Sequence, residues 1–205
     1  MLIFATMLDR VKRIFIWLSR INHCSGFGIQ SPSAYRFVRN VVYGDLQGYD
    51  AARVESPCLS YNEKKLCCLY ARMSKFLQSD NVLNFDNEES PYRKIFLSSC
   101  NKLNFIQLNA NENTDYSVFL RGQSNSKFLI RVAPVGQYKK FIEAAIAMAG
   151  KETVLVVEGI HRNSEMKQFW KNLQNDEHTG VCFDLYYCGI IFFDDRIKQH
   201  YIVNF

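Results

Sequence analysis

Metal-ligand spacings are missing from this sequence: none of its seven cysteines forms a C-x-x-C pair or joins a Cys/His ladder. The count is odd, Cys67 and Cys68 are adjacent, and the others are scattered among apolar neighbours. That favours reduced, mostly buried thiols in a cytoplasmic protein over a disulfide framework. No apolar run reaches the roughly 18 residues that span a bilayer. The start also lacks the basic-then-apolar order of a secretory signal, because residues 1–6 are apolar and charge begins at Asp9. Acid is nearly absent from residues 1–44, where Arg10, Lys12, Arg13, Arg20, Arg36 and Arg39 face Asp9 alone. That segment carries the whole net charge of +5, and residues 45–205 balance at nineteen against nineteen. A neutral main body excludes a generic nucleic-acid binder.

What is present is apolar bulk. Of 205 residues, 48% are hydrophobic, with sixteen Phe and eleven Tyr, enough to fill the core of a single domain. The expected division is a helical extension over 1–59 and an α/β core over 60–205.

Residues 153–170 carry the clearest pattern. Residues 153–157 are apolar or β-prone without alternation, as in a strand covered on both faces. Glu158 and Gly159 follow, and then Met166, Phe169, Trp170 and Leu173 recur at helical spacing. The same strand–turn–helix unit recurs upstream. Residues 82–86 read as a strand with a helix opened by Ser90 and Pro91, and 103–108 as a second strand. Residues 127–133 read as a third, with a helix from Tyr138 that stops at Gly150. A short strand is expected over 116–120. Ser60 and Glu63 fit a capping box, opening a helix that turns Leu66, Leu69, Tyr70, Met73, Phe76 and Leu77 inward. Near the end, residues 181–187 and 189–193 leave no room for a helix between them and must be antiparallel neighbours or one bent strand. Residues 201–205 would add an edge. Repeated strand–helix units imply a mostly parallel, twisted sheet with helices on both faces, whose ligands bind at the carboxyl ends of the strands.

Residues 2–21 form an amphipathic helix with Leu8, Val11, Phe15 and Leu18 on one side. Such a helix docks on the domain, pairs with a second copy, or lies on an anionic membrane. The loop from His23 leads to Ser31 and Pro32, a cap and first turn for a helix carrying Phe37 and Val41. Its Gly26-Phe27-Gly28 follows no strand and is read as a structural turn.

Two stretches resemble class I S-adenosylmethionine-dependent methyltransferases, and more narrowly a bacterial group of O-methyltransferase-like proteins. One is Gly26-Phe-Gly-Ile-Gln-Ser-Pro-Ser-Ala-Tyr-Arg-Phe-Val38, where relatives have a glycine, a His near the Ser-Pro pair, and an apolar helix. The other runs from Val154 to Trp170 and on through Phe183 to Phe193 and Gln199 to Phe205. The resemblance implies a Rossmann-like sheet of order 3-2-1-4-5-7-6. It also implies cofactor residues at the strand ends. Those positions are held here by Asp86, Asn87 and Ser90 after the first strand, by Asn109 after the second, and by Arg131 in the fourth.

Several of these depart from the family pattern. No glycine follows Asp86 before Ser90, so backbone approach to a methionine group is restricted, and Glu88 and Glu89 repel its carboxylate. Asn109 stands where an acid holds the ribose. Arg131 puts a cation where the family has Asp and Gly. At the fifth strand, Glu158-Gly159-Ile160-His161 stands for the family's Asp pair and Ile-His. His161 would be a catalytic base oriented by Glu158; otherwise it is a His bonded to the following helix. No metal site is expected, since Glu158 has no carboxylate companion apart from Asp184 on the sixth strand. Asp184, inside an apolar run, needs a partner such as Arg131 or His161.

The main expectation is therefore a methyltransferase fold kept as a non-catalytic scaffold or interaction protein, without cofactor. Self-association would run through the N-terminal helices. The alternative is an S-adenosylmethionine-dependent methyltransferase acting on a small-molecule hydroxyl.

Overall fold

The computed structural model describes residues 2–44, 59–87, 92–99, 103–110, 116 and 127–205. In chain order these give α1 (Leu2–Ser19), a tight helical turn (Ile21–Gly26) and α2 (Pro32–Phe37), which winds on as a π-helical turn over Val38–Val42. Then come α3 (Tyr61–Leu77), β1 (Asn81–Asp86), α4 (Arg93–Ser99), β2 (Asn104–Asn109) and β3 (Phe128–Val132). The chain continues with α5 (Tyr138–Met148), β4 (Thr153–Glu158), α6 (Ser164–Asn175), β5 (Val181–Asp184), β6 (Cys188–Phe192) and β7 (Gln199–Ile202). Seven strands make one sheet in the order β2-β1-β3-β4-β6-β5-β7. All pairings are parallel except those of β6, which runs antiparallel between β4 and β5.

The helix ends follow local chemistry. Ser31 Oγ accepts the Ala34 amide and Pro32 takes the first turn of α2. In α3 the capping box is complete: the Ser60 amide donates to Glu63 Oε2 (2.7 Å) and the Glu63 amide to Ser60 Oγ. Asn163 Oδ1 caps α6 by accepting the Met166 amide at 2.7 Å.

Burial on both faces of the sheet explains the unbroken apolar runs. Leu129, Val154 and Val156 face α2 and α3, in a core with Phe37, Leu69, Tyr70 and Phe183. The alternate residues Ile130, Leu155 and Val157 face α5 and α6, in a core with Phe85, Phe141, Met166 and Trp170. Each fully buried side chain of this size contributes about 1.5–3 kcal/mol. Packing here is close enough to dictate a glycine: a Cβ on Gly189 would lie 2.3 Å from the Trp170 ring.

Three expectations are corrected. The order 3-2-1-4-5-7-6 is met from β2 through the antiparallel pair. However, no strand lies outside β2 among the described residues, and β7 adds a parallel edge beside β5 instead. The expected strand over 116–120 fails at Tyr116, which is helical and buried against Phe85 and Phe141; residues 117–120 lie outside the described part. The last strand begins at Gln199 and ends before 203, because Asn204 turns inward: its amide donates to the His23 carbonyl, and its side chain to the Trp17 carbonyl.

The N-terminal helix is also not docked by its apolar side. Val11, Phe15 and Leu18 are all exposed, together with Met7 and Ile14, while Arg13 and Arg20 on its other side touch the body. Polar anchoring beats hydrophobic docking here, since Arg20 reaches partners at the end of β5 that no apolar side chain could satisfy.

Candidate functional site

Parallel strands β1, β3 and β4 end together, so the side chains near their carboxyl ends converge. In this register Asn84 pairs with Arg131 and Arg131 with Val156. Arg131, one residue short of the end of β3, is the only cation in an otherwise apolar strand and its side chain is 3% exposed. Each of its three nitrogens donates. Nε and Nη2 donate to the two oxygens of Glu158 at 2.8 and 2.9 Å, in a bidentate pair. Nη1 donates to Asp86 Oδ2 (2.8 Å) and to Asn84 Oδ1 (2.7 Å). Asn84, wholly buried, donates onward to Gln107 Oε1 at 2.7 Å. The Tyr70 hydroxyl donates to Glu158 Oε1, and the Tyr92 ring faces the guanidinium at 4.4 Å.

Charge and burial set the protonation of this cluster. Burial works against the Arg131 charge, but Glu158 and Asp86 outweigh it and hold the guanidinium well above its ordinary range. Burial, reinforced by Glu158, pushes the Tyr70 hydroxyl up, so it remains a donor.

A second cluster lies at the end of β5. Asp184 Oδ1 accepts from Arg20 Nη2 (2.7 Å) and from the Tyr186 amide (2.9 Å), and Oδ2 from His161 Nε2 (2.7 Å). Burial raises the Asp184 carboxyl, yet the His161 bond, Arg20 and the Tyr186 amide together hold it below the usual carboxylate range. The His161 ring stacks on Tyr186 at 4.9 Å, and Arg20 lies over Tyr186 at 5.2 Å.

The expected site residues are thus divided. Asp86, Arg131 and Glu158 come together. Asn87 is exposed and its amide donates to Asp86 Oδ1. Asn109 ends β2 opposite Asp86. Ser90, Glu88, Glu89, Asn111 and Glu112 lie outside the described residues. The expected Glu158–His161 pairing is not formed, because Glu158 is drawn to Arg131 across the sheet and His161 to Asp184. Of the two partners considered for Asp184, His161 is used and Arg131 is not. Arg20, Tyr70 and Tyr92 were not foreseen. The one legible signal was that an arginine among Phe128, Leu129, Ile130 and Val132 must have buried carboxylates near it.

No family model and no curated protein matches the sequence. Solved structures do match. The SAH-bound methyltransferase PaMTH1 of Podospora anserina superposes with a TM-score of 0.52 at 8% identity, covering 82% of this chain and 98% of its own. The chain has the class I methyltransferase fold. A candidate caffeoyl-CoA O-methyltransferase from Staphylococcus aureus reaches a TM-score of 0.48 at 10% identity, over 71% of this chain and 92% of that one. Cofactor-bound Rv0187 from MTB reaches 0.38 at 13%, over 79% and 96%. At such identities the likeness is one of fold alone.

The described residues at the strand ends do not fit S-adenosylmethionine. Its sulfonium is cationic, and Arg131 is a cation already in the middle of the strand ends. Both acids that would face the ligand are spent on that arginine. Among the described residues no group of three or more His, Cys, Asp or Glu side chains is arranged to hold a metal. No described helix is long and apolar enough to cross a membrane.

Proposed function

We propose that this chain uses the methyltransferase fold as a non-catalytic interaction scaffold, with the strand-end site closed by its own ion pairs. The observation that carries this reading is Arg131, buried and bonded to both Asp86 and Glu158. Opening the site would strip a buried arginine of two carboxylates, at a cost of about 3–5 kcal/mol. A ligand would have to supply that in addition to its own desolvation. Incubation with S-adenosylmethionine and separation by equilibrium dialysis tests it. The reading predicts no retained cofactor and no S-adenosylhomocysteine formed; retention at micromolar concentration overturns it.

The interaction surface on this reading is the outward stripe of α1. Met7 and Phe15 are each about two-thirds exposed, and Val11, Ile14 and Leu18 complete a line along the helix. We assign a second copy of the chain as its occupant, since two such stripes cover each other. Light scattering is expected to give a dimer that dissociates in Phe15→Glu. A monomer that instead binds vesicles of anionic lipid would transfer the stripe to a membrane.

A second reading, a methyltransferase acting on a small-molecule hydroxyl, is favoured by the fold likeness to SAH-bound PaMTH1. In that case His161, held by Asp184 next to an open cleft, is the group placed to take a proton.

A further inference from the structure

Beside the closed ion pairs lies an open cleft of about 290 Å³, bounded by Lys12 and Arg13 of α1, Asn62 in the first turn of α3, and His161, Arg162 and Tyr186 beyond β4 and β5. Three features set it apart from ordinary surface.

The first is charge. Arg13 lies 4.1 Å over the Tyr61 ring, and neither Arg13 nor Lys12 has a carboxylate partner among the described residues. Of the acids near the cleft whose side chains are described, Asp184 is bonded to Arg20 and His161, and Glu63 to the Ser60 cap. A concave wall bearing Lys12, Arg13 and Arg162 concentrates anions. The second is an unmet acceptor. Asn62 Oδ1 is buried with no hydrogen-bond partner, an omission that folded proteins rarely leave without a water or ligand to fill it. The third is a held aromatic face. Tyr186 adopts a left-handed backbone with φ of +70°, unfavourable for a residue with a bulky side chain. Its amide bond to Asp184 and its ring stack on His161 keep it there. Strain of this kind collects where a side chain must be presented in a fixed pose.

We propose that this cleft binds a small organic anion that carries a planar ring and a hydrogen-bond donor. The carboxylate or phosphate would lie between Lys12 and Arg13, the ring against the aromatic wall formed by Tyr186 with Tyr61, and the donor on Asn62 Oδ1. The volume is at the small end for ligand sites, which suits one ring and excludes a dinucleotide. None of these residues belongs to the Arg131 cluster. The site therefore stands whether or not the strand ends admit a cofactor.

Calorimetric titration of the full chain with 4-aminobenzoate and with 4-aminophenyl phosphate tests the proposal. The neutral isostere 4-aminobenzamide serves as control. At least one anion is expected to bind below millimolar concentration, and the amide about tenfold or more weaker, as loss of a charge-assisted contact implies. Which anion binds tighter distinguishes a carboxylate from a phosphate ligand. The double variant Lys12→Gln/Arg13→Gln is expected to lose about tenfold in anion affinity while keeping the wild-type circular dichroism spectrum. Asn62→Leu should abolish the preference for 4-aminobenzoate over benzoate. Equal binding of the neutral amide, no binding of either anion, or full affinity in the double variant would each overturn it.

Discussion

Two charged clusters at the same edge of the sheet are built from similar parts and differ in how they end. In one, Arg131 is enclosed by Glu158, Asp86, Asn84 and the Tyr92 ring, and all three guanidinium nitrogens donate. In the other, Asp184 is enclosed by Arg20, His161 and the Tyr186 amide, but His161 and Tyr186 continue outward to a cleft. The central residue is a cation in the first and an anion in the second. On the proposed reading, a buried arginine between two strand-end acids closes the carboxyl ends of the strands, where open α/β sheets bind ligands. A buried aspartate instead props a histidine and a strained tyrosine against an opening. On the two proposals above, binding belongs to the cleft rather than to the strand ends, and substitutions should separate the two.

Removing the guanidinium should do the most damage. Arg131→Met leaves Asp86 and Glu158 facing each other without a counter-ion, and a loss of about 3–5 kcal/mol is expected in urea unfolding. A loss below about 1 kcal/mol would mean that the cluster is not buried as described. Asp184→Asn comes next, at about 2–3 kcal/mol, because Arg20 loses its charge partner.

That second cluster also has a pH signature. The Asp184 carboxyl is held below its ordinary range when folded, so its contribution is complete above the unfolded value near 3.9 and fades as pH falls through the lower folded value. Wild type should therefore lose stability on acidification below about pH 4 more steeply than Asp184→Asn. Parallel curves would contradict the pairing. Tyr70→Phe is milder, about 1–2 kcal/mol, since Glu158 keeps both bonds to Arg131. The smallest effect on stability is expected at Phe15→Glu, within about 0.5 kcal/mol. There the readout is mass in solution rather than unfolding.

The sheet is legible in the sequence because β3 and β4 are buried on both faces and their residues are apolar without alternation. The helices are legible because Met166, Trp170 and Leu173, or Phe141, Ile142 and Ala145, repeat at the period of one helical face. The cluster around Arg131 was half legible: its acids stand at strand ends where ligands are met, but which acid it takes depends on register between strands 45 and 27 residues apart. Arg20 to Asp184 spans 164 residues, and no local pattern encodes such a contact. The orientation of α1 is left open by the sequence for the same reason. Amphipathic spacing says that one side is apolar, and not which side meets the body.

The central claim is that Arg131 closes the cofactor position, and calorimetric titration of the wild-type chain with S-adenosylhomocysteine tests it most directly. No heat up to about millimolar ligand, a binding free energy weaker than about 4 kcal/mol, is the result predicted. A micromolar dissociation constant would contradict it, and would mean that Asp86 and Glu158 release the arginine to receive the ligand.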